Sequence, residues 1–167
     1  MIIDSISRLR PLIPTPLMRL AYRFGIHVMR VYWFIARPRT RGVKVVLRND
    51  GRVLLVRHTY GDRDWDLPGG TANRNEDPAD TVVREMREEL GVSPMTLRAM
   101  RATNWRPSRK RDEVTLFVAD VPDRELRVEA AEIAATRWVS PDAIPDGTAR
   151  LARAAIARAF WPQNSAQ

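Results

Sequence analysis

The sequence predicts an α/β sandwich built on a mixed β-sheet, preceded by an N-terminal helical extension. Three observations predict it. Apolar residues alternate at Val43, Val45 and Leu47 and return at Val53 to Val56 after Asn49-Asp50-Gly51, the pattern of a β-hairpin. Residues 78–90 carry apolar side chains at helical spacing between Asp77-Pro78 and Gly91. Three later apolar runs read as strands, and an amphipathic segment follows them. Strands mixed with helices around one core bury their apolar faces by layering.

A chain of 167 residues holds one domain with a real core and is too short for two ordinary ones. The absence of cysteine excludes disulfides, thiolate nucleophiles and Cys-ligated zinc. His27 and His58 are its only histidines, too few for a His-rich metal site, so carboxylates must carry any metal chemistry. The net charge of +8 is unevenly placed: residues 1–48 hold ten Arg or Lys against Asp4 alone, and the rest of the chain is close to neutral. The basicity therefore belongs to the N-terminal segment, and no DNA partner is expected of the main domain.

The boundary is drawn after residue 40, giving an extension over 1–40 and a domain over 41–167. After the Pro-broken stretch Pro11 to Pro16, residues Leu17 to Ala36 have a helical pattern with Arg19, Arg23, His27 and Arg30 on one narrow stripe and apolar residues over most of the girth. The length suits a bilayer, but each central arginine would cost about 2.5 to 3.5 kcal/mol there. Ala36-Arg37-Pro38-Arg39 supplies no signal-peptide cleavage site. Packing on the domain or on a second subunit, as in a homodimer, ranks first; peripheral contact with an anionic membrane surface ranks second. The expected location is cytoplasmic, with that membrane contact as the variant.

In the domain, a loop runs from His58 to Asp66. Asp77 then supplies an N-cap carboxylate, Pro78 the first helical position and Gly91 the stop. Ala79, Val82, Val83, Met86 and Leu90 share the face expected to be buried. Strands are expected over Met95 to Thr103, Val114 to Val121 and Ile133 to Val139, and a last helix over Thr148 to Trp161, started by Asp146-Gly147.

Glu85, Glu88 and Glu89 stand at i, i+3 and i+4 of the first of these helices and form an acidic cluster on another face. Adjacent carboxylates repel unless a cation or proton intervenes, and hard oxygen donors suit Mg²⁺ or Mn²⁺. Taken alone, the helix fits a solvated acidic face, with Arg84 and Arg87 as ion-pair partners, better than it fits a metal site. The preceding Leu67-Pro68-Gly69-Gly70 ends in glycines that let backbone groups approach a ligand closely.

Taken together, Gly70, Glu76, Arg84-Glu85-Met86, Glu88-Glu89 and Gly91-Val92 resemble the Nudix box, G-x5-E-x7-R-E-U-x-E-E-x-G-U, where U is a bulky aliphatic residue. Every specified position is filled. The resemblance extends upstream through Leu54-Leu55-Val56-Arg57 and Trp65-Asp66-Leu67-Pro68, and downstream through Glu132-Ile133 and Arg137-Trp138-Val139, spanning roughly Arg41 to Phe160. It implies a Nudix-type α/β/α sandwich and hydrolysis of a nucleoside diphosphate linked to another group, by water attack on phosphorus assisted by Mg²⁺ or Mn²⁺.

The resemblance also implies roles. Glu88 and Glu89 would be metal ligands, helped by the carbonyl of Gly70; Glu85 would be a further ligand or the general base. Arg84 would orient Glu85 or balance the acids, and Glu76 would close the loop onto the helix behind them. Glu132 matches a late acid that some members use as ligand or base, with Glu113 and Glu129 as weaker competitors and a plain surface position as the alternative. Substrate contacts are expected from Arg57, Trp65 and Arg106, although Trp65 also fits a core aromatic and the basic loop Arg101 to Arg111 also fits a solvated one. Pro107 stands fifteen residues beyond Val92, about where members of the family that hydrolyse ADP-ribose carry a proline, so the resemblance implies a substrate of ADP-ribose or nucleotide-sugar type, and nothing resembles the family's coenzyme A or NADH signatures. The rival expectation is a catalytically silent binding module of the same fold, which would typically lack box acids that are present here.

Overall fold

A computed structural model describes residues 39–60, 63–100, 103–105 and 111–161. The proposed helix over 17–36, together with Arg106 and Pro107, lies outside the described residues. The elements are β1 (Arg39–Asn49), β2 (Arg52–His58), α1 (Pro78–Leu90), β3 (Thr96–Ala99), β4 (Thr103–Trp105), β5 (Arg111–Asp120), β6 (Ile133–Val139) and α2 (Arg150–Phe160). No helix among the described residues is long and apolar enough to cross a membrane.

The sheet runs β3-β5-β1-β2-β6, with β4 also on β5. β1 and β5 are parallel from Arg39↔Arg111 to Arg48↔Asp120, and the other pairings are antiparallel, so the sheet is mixed as expected. The β1–β2 turn has positive φ at Asp50 (45°) and Gly51 (69°), the conformation that a tight twisted hairpin demands and that Asp-Gly tolerates.

Alternation along the strands divides the core in two. Val43, Val45, Leu47, Leu54, Val56, Phe117 and Ala119 face α1 through Val82, Met86 and Leu90. Val46, Val53, Leu55, Leu116 and Val118 face α2 through Ala152, Ala155 and Ile156. Strands covered on both faces need apolar side chains on both, which explains the nearly continuous apolar runs. The result is an α/β/α sandwich.

β1 and β2 pair only beside their turn, at Arg48↔Val53 and Asn49↔Arg52. Beyond it they diverge, and the segment 65–72 fills the gap. Asp66 exchanges both backbone bonds with Val56 of β2 at 2.9 Å each. On the other side Val45 N–H donates to Pro68 O at 3.0 Å, Val43 N–H to Gly70 O at 2.9 Å, and Ala72 N–H to Arg41 O at 2.8 Å. The glycine turn is thus held by sheet bonds from two strands.

Several boundaries differ from expectation. The strand expected over 95–103 is two short strands on β5, whose register moves by one residue between Ala99↔Phe117 and Thr103↔Val114. α2 starts at Arg150 and not at Thr148, because the Thr148 hydroxyl donates to Pro145 O at 2.7 Å and the N-cap is Ala149, without a side-chain bond. Asp77 caps α1 as expected, accepting from Ala79 N–H at 2.8 Å, and Gly91 ends it at φ 67°. Val83, expected on the buried face, is only half-buried, whereas Thr81 and Glu89 are fully buried.

Candidate active site

Gly69 and Gly70 face α1. A β-carbon on Gly69 would collide with the backbone of Val43, and its φ of 141° already excludes most side chains. A β-carbon on Gly70 would instead overlap the carboxylate of Glu85. The missing side chain at Gly70 is therefore the room that Glu85 occupies. The Gly70 carbonyl, expected to help hold an ion, accepts from Val43 N–H and has only its second lone pair to offer.

Arg84 ties this turn to the helix. Its Nε and Nη2 donate to Glu76 Oε1 and Oε2 at 2.8 and 2.9 Å, its Nη1 to Glu85 Oε1 at 2.8 Å, and its Nη2 to Thr71 O at 3.2 Å. Glu76 Oε2 also accepts from Asn73 N–H at 2.7 Å. The forked pair with Arg84 holds the Glu76 carboxyl at about 2, well below the ordinary 4.5. Arg84 thus stands beside Glu85, and Glu76 joins the loop to the helix through the same guanidinium.

Glu89 is only 4% exposed, and its Oε2 has no hydrogen-bond partner. The backbone N–H of Gly69 acts favourably on this carboxylate. Burial, followed by repulsion from Glu85 and Glu132, pushes its value up to about 8. Burial is also the first cause raising Glu85, with Arg84 opposing. Glu132, which precedes β6, is close enough for its charge to act on both acids.

Of the expected trio Glu85, Glu88 and Glu89, the two turned inward are Glu85 and Glu89. Glu88 sits at the rim, its side chain 48% exposed and 3.5 Å from Arg84. Among the described residues no group of three or more His, Asp or Glu side chains is arranged to enclose an ion. Glu88 and Glu132 both repel Glu85, Glu85 and Glu132 repel Glu89, and the opposing cations are Arg84 at Glu85 and Lys44 at Glu89. Of the weaker competitors, Glu113 is exposed on β5, and Glu129 uses Oε1 to accept from Ala131 N–H at 3.1 Å.

The donor set fits a divalent cation on one specific ground. A buried carboxylate oxygen without a hydrogen-bond donor, pressed by neighbouring carboxylates, is costly unless a proton or a cation satisfies it. All the groups involved are hard oxygens, which match Mg²⁺ or Mn²⁺.

On the α2 side of the sheet, Trp65 is 9% exposed in the second core cluster, and the Arg57 guanidinium lies 4.3 Å from its ring centroid. Trp65 is thus a core aromatic with an arginine lid, and Arg57 is the half-buried member of the pair. One residue escaped the sequence reasoning. Lys44 pairs with Asp66 Oδ2 at 2.7 Å and donates to Leu67 O at 2.9 Å, and its charge acts on Glu89 and His58. A lysine amid Val43, Val45 and Val46, in a strand covered on both faces, was the available signal.

The chain matches the NUDIX domain family model over residues 38–160. A Bacillus subtilis (strain 168) protein provisionally named an 8-oxo-dGTP diphosphatase is 31% identical over 106 residues, 64% of this chain and 70% of that protein. An ADP-ribose pyrophosphatase of Mycobacterium tuberculosis is 33% identical over 79 residues, 45% of this chain and 38% of that protein. The structure of a NUDIX-family hydrolase from Clostridium perfringens superposes with a TM-score of 0.64 at 18% identity, covering 74% of this chain and 97% of that one, a likeness of fold. The MutT protein of Methanosarcina mazei Go1 gives 0.60 at 26% identity, covering 72% and 92%. With a complete box, the Arg84 clasp and a family match across most of its length, this chain belongs to the Nudix hydrolases and is a pyrophosphohydrolase.

Proposed function

We propose that the chain cleaves the phosphoanhydride link of a nucleoside diphosphate joined to a second group, with Mg²⁺ or Mn²⁺ as cofactor. The observation that carries this reading is the buried, unpartnered oxygen of Glu89 beside Glu85 and Glu132. The metal would be held by Glu89 and Glu88, with Glu85 and the second lone pair of the Gly70 carbonyl as further donors. When bound, it supplies charge withdrawal from the phosphate oxygens and lowers the pKa of attacking water.

The chain's own groups do the rest. Arg84 fixes the Glu85 carboxylate through one N–H while its other edge is locked by Glu76, so Glu85 is oriented before substrate arrives. Glu85 or Glu132 accepts the proton of the attacking water, both being carboxylates whose charges act on the Glu89 site. Arg57, beside the core ring of Trp65, and Arg106 are proposed to bind the diphosphate or base. The name of the M. tuberculosis relative and the position of Pro107 favour ADP-ribose or a nucleotide sugar. Residues 1–40 are assigned to a homodimer contact or a peripheral membrane contact of a cytoplasmic enzyme.

A panel of nucleoside diphosphate derivatives, assayed for phosphate-bearing products with Mg²⁺ and with Mn²⁺, tests the reading. Metal-dependent release from at least one member is expected. Nucleotide binding without release from any would identify a silent module instead.

A further inference from the structure

The box turn is fastened from outside the box. We infer that Lys44, paired with Asp66, is a positioning residue for the reaction: its ammonium grips the Leu67 carbonyl and so fixes the Gly69-Gly70 turn that packs against the Glu85 carboxylate beside Glu89. The inference rests on the proposed metal role of Glu89.

The geometry is a strut across a gap. Because β1 and β2 separate after Arg48↔Val53, the segment between them depends on bonds from each side. Val43 and Val45 hold it by their amides, at Gly70 O and Pro68 O. Lys44, between them, has its backbone paired to Leu116 of β5 and reaches the segment by its side chain instead, at Leu67 O (2.9 Å) and Asp66 Oδ2 (2.7 Å). Asp66 Oδ1 accepts from Leu67 N–H at 2.8 Å, so both polar ends of the Leu67 residue are tied to this one ion pair. Pro68, which has no N–H, follows directly, and then Gly69 against the Val43 backbone and Gly70 against the Glu85 carboxylate.

The chemistry selects lysine. A leucine or valine here would suit the apolar strand better, since a half-buried ammonium is costly unless it is paired and hydrogen-bonded. Here it is both, at 20% side-chain exposure, with Asp66 at 27%. Its charge also acts favourably on Glu89, so one residue fixes the turn and offsets part of the carboxylate repulsion. A small error in the placement of reacting groups can cost about 100-fold in rate, so the effect should appear in turnover.

The test compares the full chain with Lys44→Met, Lys44→Arg and Asp66→Asn. Lys44→Met removes the charge at similar length. Amide hydrogen exchange of the metal-free protein is expected to quicken at Gly69 by at least ~10-fold, with the interior amides of α1 unchanged. Mn²⁺ affinity, titrated by electron paramagnetic resonance, is expected to weaken at least ~5-fold, and kcat on the best panel substrate to fall ~10- to 100-fold with KM within about twofold. Lys44→Arg, which can donate to both partners, is expected to recover all three readouts to within about threefold. Asp66→Asn supplies the same comparison if Lys44→Met does not fold.

A variant that merely melts earlier, with unchanged Gly69 exchange, Mn²⁺ affinity and kcat, overturns the inference. So does a rise in KM alone, which would make Lys44 a substrate contact. If the unaltered chain binds no Mn²⁺, the proposed metal site fails, while the Gly69 exchange still decides whether the strut exists.

Discussion

The α-carbon of Gly70 faces the Glu85 carboxylate so closely that a methyl group there would occupy the same space. Gly69, one residue earlier, would put its methyl group into the backbone of Val43. The two glycines therefore fail differently when substituted, because the end of a glutamate side chain can swing aside and a strand backbone cannot.

Gly70→Ala is expected to leave the melting temperature within a few degrees while lowering kcat at least ~10-fold, since Glu85 is displaced from its Arg84 bond. Gly69→Ala, at a φ of 141°, is expected to destabilise by about 2 kcal/mol or more. Urea unfolding beside steady-state kinetics separates the two. Equal loss of stability in both variants would contradict the geometry.

Glu89→Gln is expected to reduce turnover at least ~100-fold without unfolding the chain, in the range seen when charge stabilisation at a reacting centre is lost. The same variant carries a pH signature. The folded-state value of about 8 lies above the ordinary 4.5, so the metal-free folded chain retains a proton that the unfolded chain releases. The resulting stability is fully present below 4.5 and is lost as pH rises to 8. Melting curves of metal-free protein should show that decline in the unaltered chain and not in Glu89→Gln.

His58 gives the opposite slope. Burial, reinforced by the Lys44 charge, lowers it from 6.5 to about 4. The unfolded chain therefore binds the extra proton first, and the stability from a neutral His58 is present above 6.5 and lost as pH falls to 4, up to about 3 kcal/mol at the conversion of 1.36 kcal/mol per unit. His58→Gln should remove that acid-side loss, read as the difference between the two chains in urea midpoints across the interval.

Arg84→Lys keeps the charge and loses the fork. It is expected to lower kcat at least ~10-fold and stability by about 1 kcal/mol, and a double-mutant cycle with Glu76→Gln should return a coupling of roughly 1 to 2 kcal/mol. A coupling near zero would mean that the two 2.8 and 2.9 Å bonds are not maintained in solution.

The caps of α1, the Asp50-Gly51 turn and the strand alternation were legible because each is decided by residues within a few positions of one another: a carboxylate two residues before an amide, a φ that glycine permits, a period of two. The box itself was legible for the same reason, since a helix brings i, i+3 and i+4 together whatever surrounds it. Arg106 and the extension fall outside what the structure describes.

What the sequence by itself determined is therefore the local frame, including which acids stand on which turn of α1. Only the tertiary structure decided that β1 and β2 part to admit segment 65–72, that Lys44 crosses to Leu67 and Asp66, that Glu132 joins Glu85 and Glu89 while Glu88 stays at the rim, and that Trp65 lies in the core. Those outcomes depend on burial and on charges brought together from distant parts of the chain. Neither quantity exists until the sheet has formed, so no local spacing encodes them.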